Sequence, residues 1–172
     1  MPNWVTNQME ISGPENVVKL FVESVKTSDD NILDFNKIIP QPAYLFQENL
    51  SYEDFRTTNG RNWHDWRVKN WGTKWGAIDA TIEELDTLYG EAGYAYNFCT
   101  AWSPPLGIFE RLAQDFPELL ISVRMDEESH SFPRTLIVKK AGETTFTEMP
   151  IEDYNPFEEY EEEEMPVNSQ EN

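Results

Sequence analysis

Tyr94-Ala95-Tyr96-Asn97-Phe98-Cys99-Thr100-Ala101 decides the fold. Successive side chains of an extended chain point to opposite faces, so this octapeptide reads as a strand. One face carries Tyr94, Tyr96, Phe98 and Thr100; the other carries Ala95, Asn97, Cys99 and Ala101. The first face is aromatic and the second small, which predicts helices packed on the small face, with Cys99 buried there as a compact hydrophobe. Pro104-Pro105 then opens a helix whose Phe109, Leu112, Ala113 and Phe116 form an apolar stripe, closed by Pro117. Beyond it Leu119, Ile121, Val123 and Met125 alternate again, a second strand.

The N-terminal half repeats this plan. Residues 4–11 alternate, with Val5, Met9 and Ile11 on one face and Trp4, Thr6, Gln8 and Glu10 on the other. Ser12-Gly13-Pro14 predicts a cap and a first-turn proline, and Val18, Phe21, Val22 and Val25 follow at helical spacing through Lys26. Residues 33–39 read as a short strand that ends at Pro40-Gln41-Pro42, because proline cannot donate to a ladder. Residues 43–75 form a polar, aromatic insertion, with a helix over about 59–70 that places Trp63, Trp66 and Asn70 or Trp71 on one side. Residues 77–82 suit a strand, while Ile82, Leu85, Leu88 and Tyr89 equally suit a short helix. Residues 135–140 and 144–149, separated by Ala141-Gly142-Glu143, read as a hairpin.

In order, these elements give the split β-α-β pattern of a ferredoxin-like sandwich. The fold class is α+β: an antiparallel sheet with helices on one face, an aromatic-rich insertion and an extra C-terminal hairpin. One domain is expected over residues 1–150, with the insertion at about 40–75. Residues 151–172, where periodicity ends, are expected to form an acidic, disordered tail.

The chain has 172 residues, with 32 Asp plus Glu against 13 Lys plus Arg, a formal charge of -19. Nine acids and no base fall in residues 152–172, yet the remaining residues still carry 23 acids against 13 bases. The acidity therefore belongs to the domain as well as to its end. Such a charge opposes direct binding of nucleic acid or anionic membrane and favours a basic protein surface. Cys99 is the single cysteine and there are two histidines, which leaves no internal disulfide and no Cys/His zinc site. No apolar run is long enough to span a bilayer, and Met1-Pro2-Asn3-Trp4 lacks the regions of a signal peptide. The expectation is a cytoplasmic protein, in which the sequon at Asn49 is never glycosylated.

Four blocks carry a resemblance: Met1-Pro2-Asn3-Trp4 with Asn7, Ile11 and Gly13; Phe35-Asn36-Lys37-Ile38-Ile39-Pro40; Asn70-Trp71-Gly72-Thr73-Lys74-Trp75; and Thr100-Ala101-Trp102-Ser103-Pro104-Pro105. In this order they resemble the YubB-type family of phage and plasmid proteins. The resemblance implies a ferredoxin-like domain, residence on a mobile genetic element and a bacterial cytoplasm, and it brings no established activity. The chain departs from the family pattern at Val5, often Cys, and at Asp126-Glu127-Glu128-Ser129-His130, which lacks a glycine-rich form.

Candidate chemistry lies in three places. Asn70, Trp71, Thr73, Lys74 and Trp75, with Thr100 and Trp102, combine indoles, hydroxyls, an amide and an ammonium that could hold a nucleobase and its phosphate. The favoured reading is structural: the indoles cap the sheet edge, with Lys74 neutralising a carboxylate and Gly72 permitting a turn. Asp126, Glu127, Glu128 and His130 bring carboxylates and an imidazole together, but alternation throws Glu127 to the opposite face, which favours a solvated rim. His64, flanked by Trp63 and Asp65, could pair with a carboxylate, but a partly exposed structural histidine is the favoured reading. In the tail, Tyr154, Phe157 and Tyr160 interleave with Glu158, Glu159, Glu161, Glu162, Glu163 and Glu164. This pattern suits either docking to a basic partner or plain solubility.

No nucleophile motif, metal set or phosphate-cradling loop is found, so the expectation is no enzyme, no cofactor and no metal. The functional expectation is an acidic binding protein of a phage or mobile element. It would inhibit a host nucleic-acid-binding or defence protein by charge mimicry. The alternative is a nucleotide-binding or nucleotide-sequestering module that uses the Trp/Lys pocket.

Overall fold

The computed structural model describes residues 3–45, 51–58, 60–87, 91–128, 134–140 and 143–149; for 52, 54, 55 and the last two segments it describes the backbone alone. The tail residues, His130 and the Asn49 sequon lie outside the described residues. The elements run β1 (Trp4–Pro14), α1 (Glu15–Val25), α2 (Phe35–Ile38), α3 (Tyr52–Thr57), α4 (Trp63–Asn70), β2 (Ile78–Glu84), β3 (Glu91–Ala101), α5 (Leu106–Asp115), β4 (Leu120–Glu127), β5 (Arg134–Lys140) and β6 (Glu143–Met149). The strands form one sheet in the order β2-β3-β1-β4-β5-β6, and every neighbouring pair is antiparallel. Its first four strands have the ferredoxin-like order. The expected hairpin, β5 and β6, extends the sheet beyond β4.

Register explains which face is covered. In β1 the residues Val5, Met9 and Ile11 are fully buried, and they stand opposite Thr100, Tyr96 and Tyr94 of β3 and Glu127, Val123 and Ile121 of β4. Helices α1 and α5 lie over this face, through Val18, Phe21 and Val25 and through Ile108, Phe109, Leu112 and Ala113. Phe21 meets Tyr96 edge-on at 6.0 Å between ring centroids, and Phe98 meets Phe109 at 6.4 Å. The helices therefore cover the aromatic face of β3, against the expectation of the small one. The physical reason is volume. A helix layer stands well off the sheet, and large side chains fill that gap. The small face instead lines up Cys99, Asn97 and Ala95 with Thr6, Gln8 and Glu10 of β1. Cys99 is accordingly half-buried on the polar face and not in the core.

Three local readings also change. β1 continues through Pro14, so α1 begins without a side-chain cap from Ser12. Residues 35–38 form one helical turn instead of a strand, because Asp34 accepts a hydrogen bond from the Asn36 N–H at 2.9 Å and Ile39 N–H closes on Phe35 O at 2.8 Å. Phe35 and Ile38 share a buried face at that i, i+3 spacing as readily as Leu33 and Phe35 would in a strand. The insertion holds an unpredicted helix, α3, and α4 starts at Trp63, where Asn62 accepts from the Asp65 N–H at 2.8 Å.

The open choice over residues 77–82 resolves as strand. β2 pairs Ile82 with Tyr96 and Glu84 with Tyr94, after a bulge between Ile78 and Thr81 where Asp79 takes φ 52°. It is an edge strand. A bulge and charged side chains on such an edge oppose pairing with a second chain.

Candidate functional site

The two tryptophan-bearing hexamers meet at one end of the sheet, where the turn after α4 packs against the link from β3 to α5. Gly107 makes that approach possible, since a Cβ there would lie 2.1 Å from Asn70 O. Gly72, at φ 92°, faces Leu106 N and Pro104 O, each 2.9 Å from an added Cβ. Only glycine satisfies both positions. Hydrogen bonds then lock the link. Ser103 Oγ donates to Gly72 O at 2.5 Å, and Thr73 Oγ1 donates to Ala101 O at 2.9 Å. Thr100 Oγ1 donates to Ser103 O at 2.9 Å and accepts from Asn7 Nδ2 at 3.1 Å.

This arrangement divides the residues expected to form a pocket. Trp71, Thr73 and Thr100 are buried, and the Trp71 indole donates to Ile39 O at 2.9 Å. Asn70 Nδ2 donates to Trp66 O at 2.7 Å. Their polar groups are engaged inside the fold. Lys74, Trp75 and Trp102 remain toward solvent: Lys74 Nζ lies 4.8 Å from the Trp75 ring centroid, and Trp75 lies 6.2 Å from Trp4. Trp102 is 54% exposed and takes φ 70°. For so bulky a residue that conformation costs about 1–3 kcal/mol, a strain held by the flanking hydrogen bonds.

The carboxylate cluster does not converge. Glu127 is buried and accepts from Asn3 Nδ2 at 2.9 Å, whereas Glu128 is exposed and accepts from the Trp4 N–H at 3.3 Å. Among the described residues no group of three His, Cys, Asp or Glu side chains could hold a metal ion. His64 Nδ1 sits 3.2 Å from Asp65 Oδ1, the carboxylate pairing that its neighbour suggests.

Three features go beyond the sequence reading. Asn7 is buried among the strands, and its Oδ1 has no hydrogen-bond partner. Tyr96 likewise buries an unpartnered hydroxyl, and burial raises its pKa, with Tyr94 and Glu23 adding to the rise. Arg67 places its guanidinium 5.1 Å from the Trp63 ring centroid and 4.8 Å from that of Trp71, while its Nε donates to Gln41 Oε1 at 2.5 Å. The i, i+4, i+8 spacing of Trp63, Arg67 and Trp71 was the available signal.

Charge is partitioned as well. Residues 75–110 contain no lysine or arginine, and within them Asp79, Glu83, Glu84, Asp86 and Glu91 are exposed along β2 and the start of β3. The insertion is the counterpart, with Arg56, Arg61, Arg67, Lys69 and Lys74 against Glu48, Glu53, Asp54 and Asp65 in residues 43–75.

No family model matches the chain, and no curated protein does. Among solved structures, it is similar to the crystal structure of protein api92 from Yersinia pseudotuberculosis, of the family model DUF1281. The TM-score is 0.56 at 11% sequence identity, over 87% of this chain and 98% of that one. At that identity the likeness extends to the fold alone. No helix among the described residues is long and apolar enough to cross a membrane.

Proposed function

We propose that the chain is a non-enzymatic, acidic binding protein of a phage or other mobile element. It docks on a cationic surface of a host nucleic-acid-binding or defence protein in the bacterial cytoplasm, at places that phosphates otherwise fill. One observation carries this reading: the exposed acids of the β2 edge lie in a stretch, residues 75–110, that has no base of its own. With no cation nearby in sequence to neutralise them, their field projects outward. Leu85 N–H bonds to Gly93 O, so Glu84 and Asp86 flank it in extended chain, about 6.7 Å apart along the strand. The family resemblance supports the mobile-element origin.

The pocket alternative draws less support from the geometry, because Trp71, Thr73 and Thr100 spend their polar groups on the fold. The test is capture on the immobilised chain from nuclease-treated bacterial lysate, elution along a salt gradient, and competition with duplex DNA for whatever is retained. The expected result is a basic nucleic-acid-binding protein that leaves as salt rises and that DNA displaces. A salt-insensitive complex, or a retained protein indifferent to DNA, contradicts it.

A further inference from the structure

Among the described residues, Arg67 is the cation that lies over two indole rings. Its guanidinium lies over Trp63 and Trp71 at 5.1 and 4.8 Å, and Gln41 Oε1 fixes its Nε at 2.5 Å. Both rings are one helical turn away, so the fork is held by α4 itself and by the segment after Pro40. Lys19, Lys26 and Arg111 pair with carboxylates, whereas Arg67, like Lys37, Lys69 and Lys74, has none within ion-pair distance among the described residues. A partly buried guanidinium with no carboxylate partner among the described residues is a cation open to an anion. Burial also lowers its pKa from the usual guanidinium value. The group stays charged, and an anion would offset that loss of hydration.

We infer that Arg67, ordered between Trp63 and Trp71 and anchored by Gln41, is an oxyanion-binding site for the carboxylate or phosphate group of a small ligand. A planar guanidinium whose Nε is already bonded presents its terminal N–H groups for paired hydrogen bonds to two oxygens. Rings on two sides immobilise the fork in advance, which lowers the ordering cost of binding. The negative field of the whole chain does not forbid this. Screening limits it to about 8 Å at physiological salt, and residues 43–75 carry one more base than acid. The site is independent of the β2 edge, so the two readings fail separately.

The full-length protein is titrated with inorganic phosphate and with acetate at constant ionic strength, with chloride as the control. The Trp63 indole N–H and Arg67 Nε–H resonances are followed by NMR. The expected result is a saturable shift with phosphate, acetate or both, and none with chloride. Arg67→Lys keeps the charge and loses the fork, and should weaken binding roughly tenfold or more. If that variant does not fold, Gln41→Ala decides, with about threefold weakening expected. Shifts that never saturate, that chloride reproduces, or that survive both substitutions unchanged overturn the site.

Discussion

The junction of the two tryptophan hexamers and the β2 edge use similar lengths of chain for opposite ends. At the junction, Gly72 and Gly107 let backbones meet, Trp71 and Thr100 are fully enclosed, and the side-chain donors of Trp71, Thr73 and Thr100 bond to carbonyls of the fold. At the edge, Asp79, Glu83, Glu84, Asp86 and Glu91 face solvent without a base between residues 75 and 110. The contrast teaches that the most distinctive residues of a sequence can be spent on structure. Trp71 holds the junction together; the glutamates of the edge stay exposed to solvent.

Substitutions should separate the two regions, and the largest effects belong to the junction. Trp71→Ala should cost about 3–5 kcal/mol in chemical denaturation, since it empties a site enclosed by Phe35 and Trp66. Thr100→Val keeps the shape but removes the donor to the Ser103 carbonyl and one of the acceptors around Asn7 Nδ2, and should cost about 1–3 kcal/mol by the same measurement. A loss under about 0.5 kcal/mol in both variants would break the contrast and return these residues to the pocket reading. Trp102→Gly should raise stability by about 1 kcal/mol, because glycine accepts φ 70° without strain. Replacing Glu83, Glu84 and Asp86 by Gln, Gln and Asn should leave the unfolding free energy within about 0.5 kcal/mol.

Much of this division was written in the sequence, and some of it was hidden for definable reasons. Alternation placed β1, β3 and β4, and the stripe Phe109, Leu112, Ala113 placed α5, because burial on one face imposes those periods. The covered face of β3 is not legible from that strand alone. The pairing of Tyr96 with Met9 and of Phe98 with Asn7, known only from the register, settles it. Residues 33–39 hid a helical turn because i, i+2 and i, i+3 apolar spacings coexist in so short a segment. Interlocking of the hexamers depends on the approach of Gly107 to Asn70, a long-range contact that no local pattern encodes. The same limit hid Gln41 as the partner of Arg67 across 26 positions.

The most direct test of the acidic-edge account compares the wild-type chain with the E83Q, E84Q, D86N variant. Both are titrated against the basic protein captured from host lysate at several salt concentrations. The account predicts a clear loss of affinity in the variant at low salt, with a shallower salt dependence and an unchanged melting temperature. Equal affinity and equal salt dependence in the two chains would contradict it.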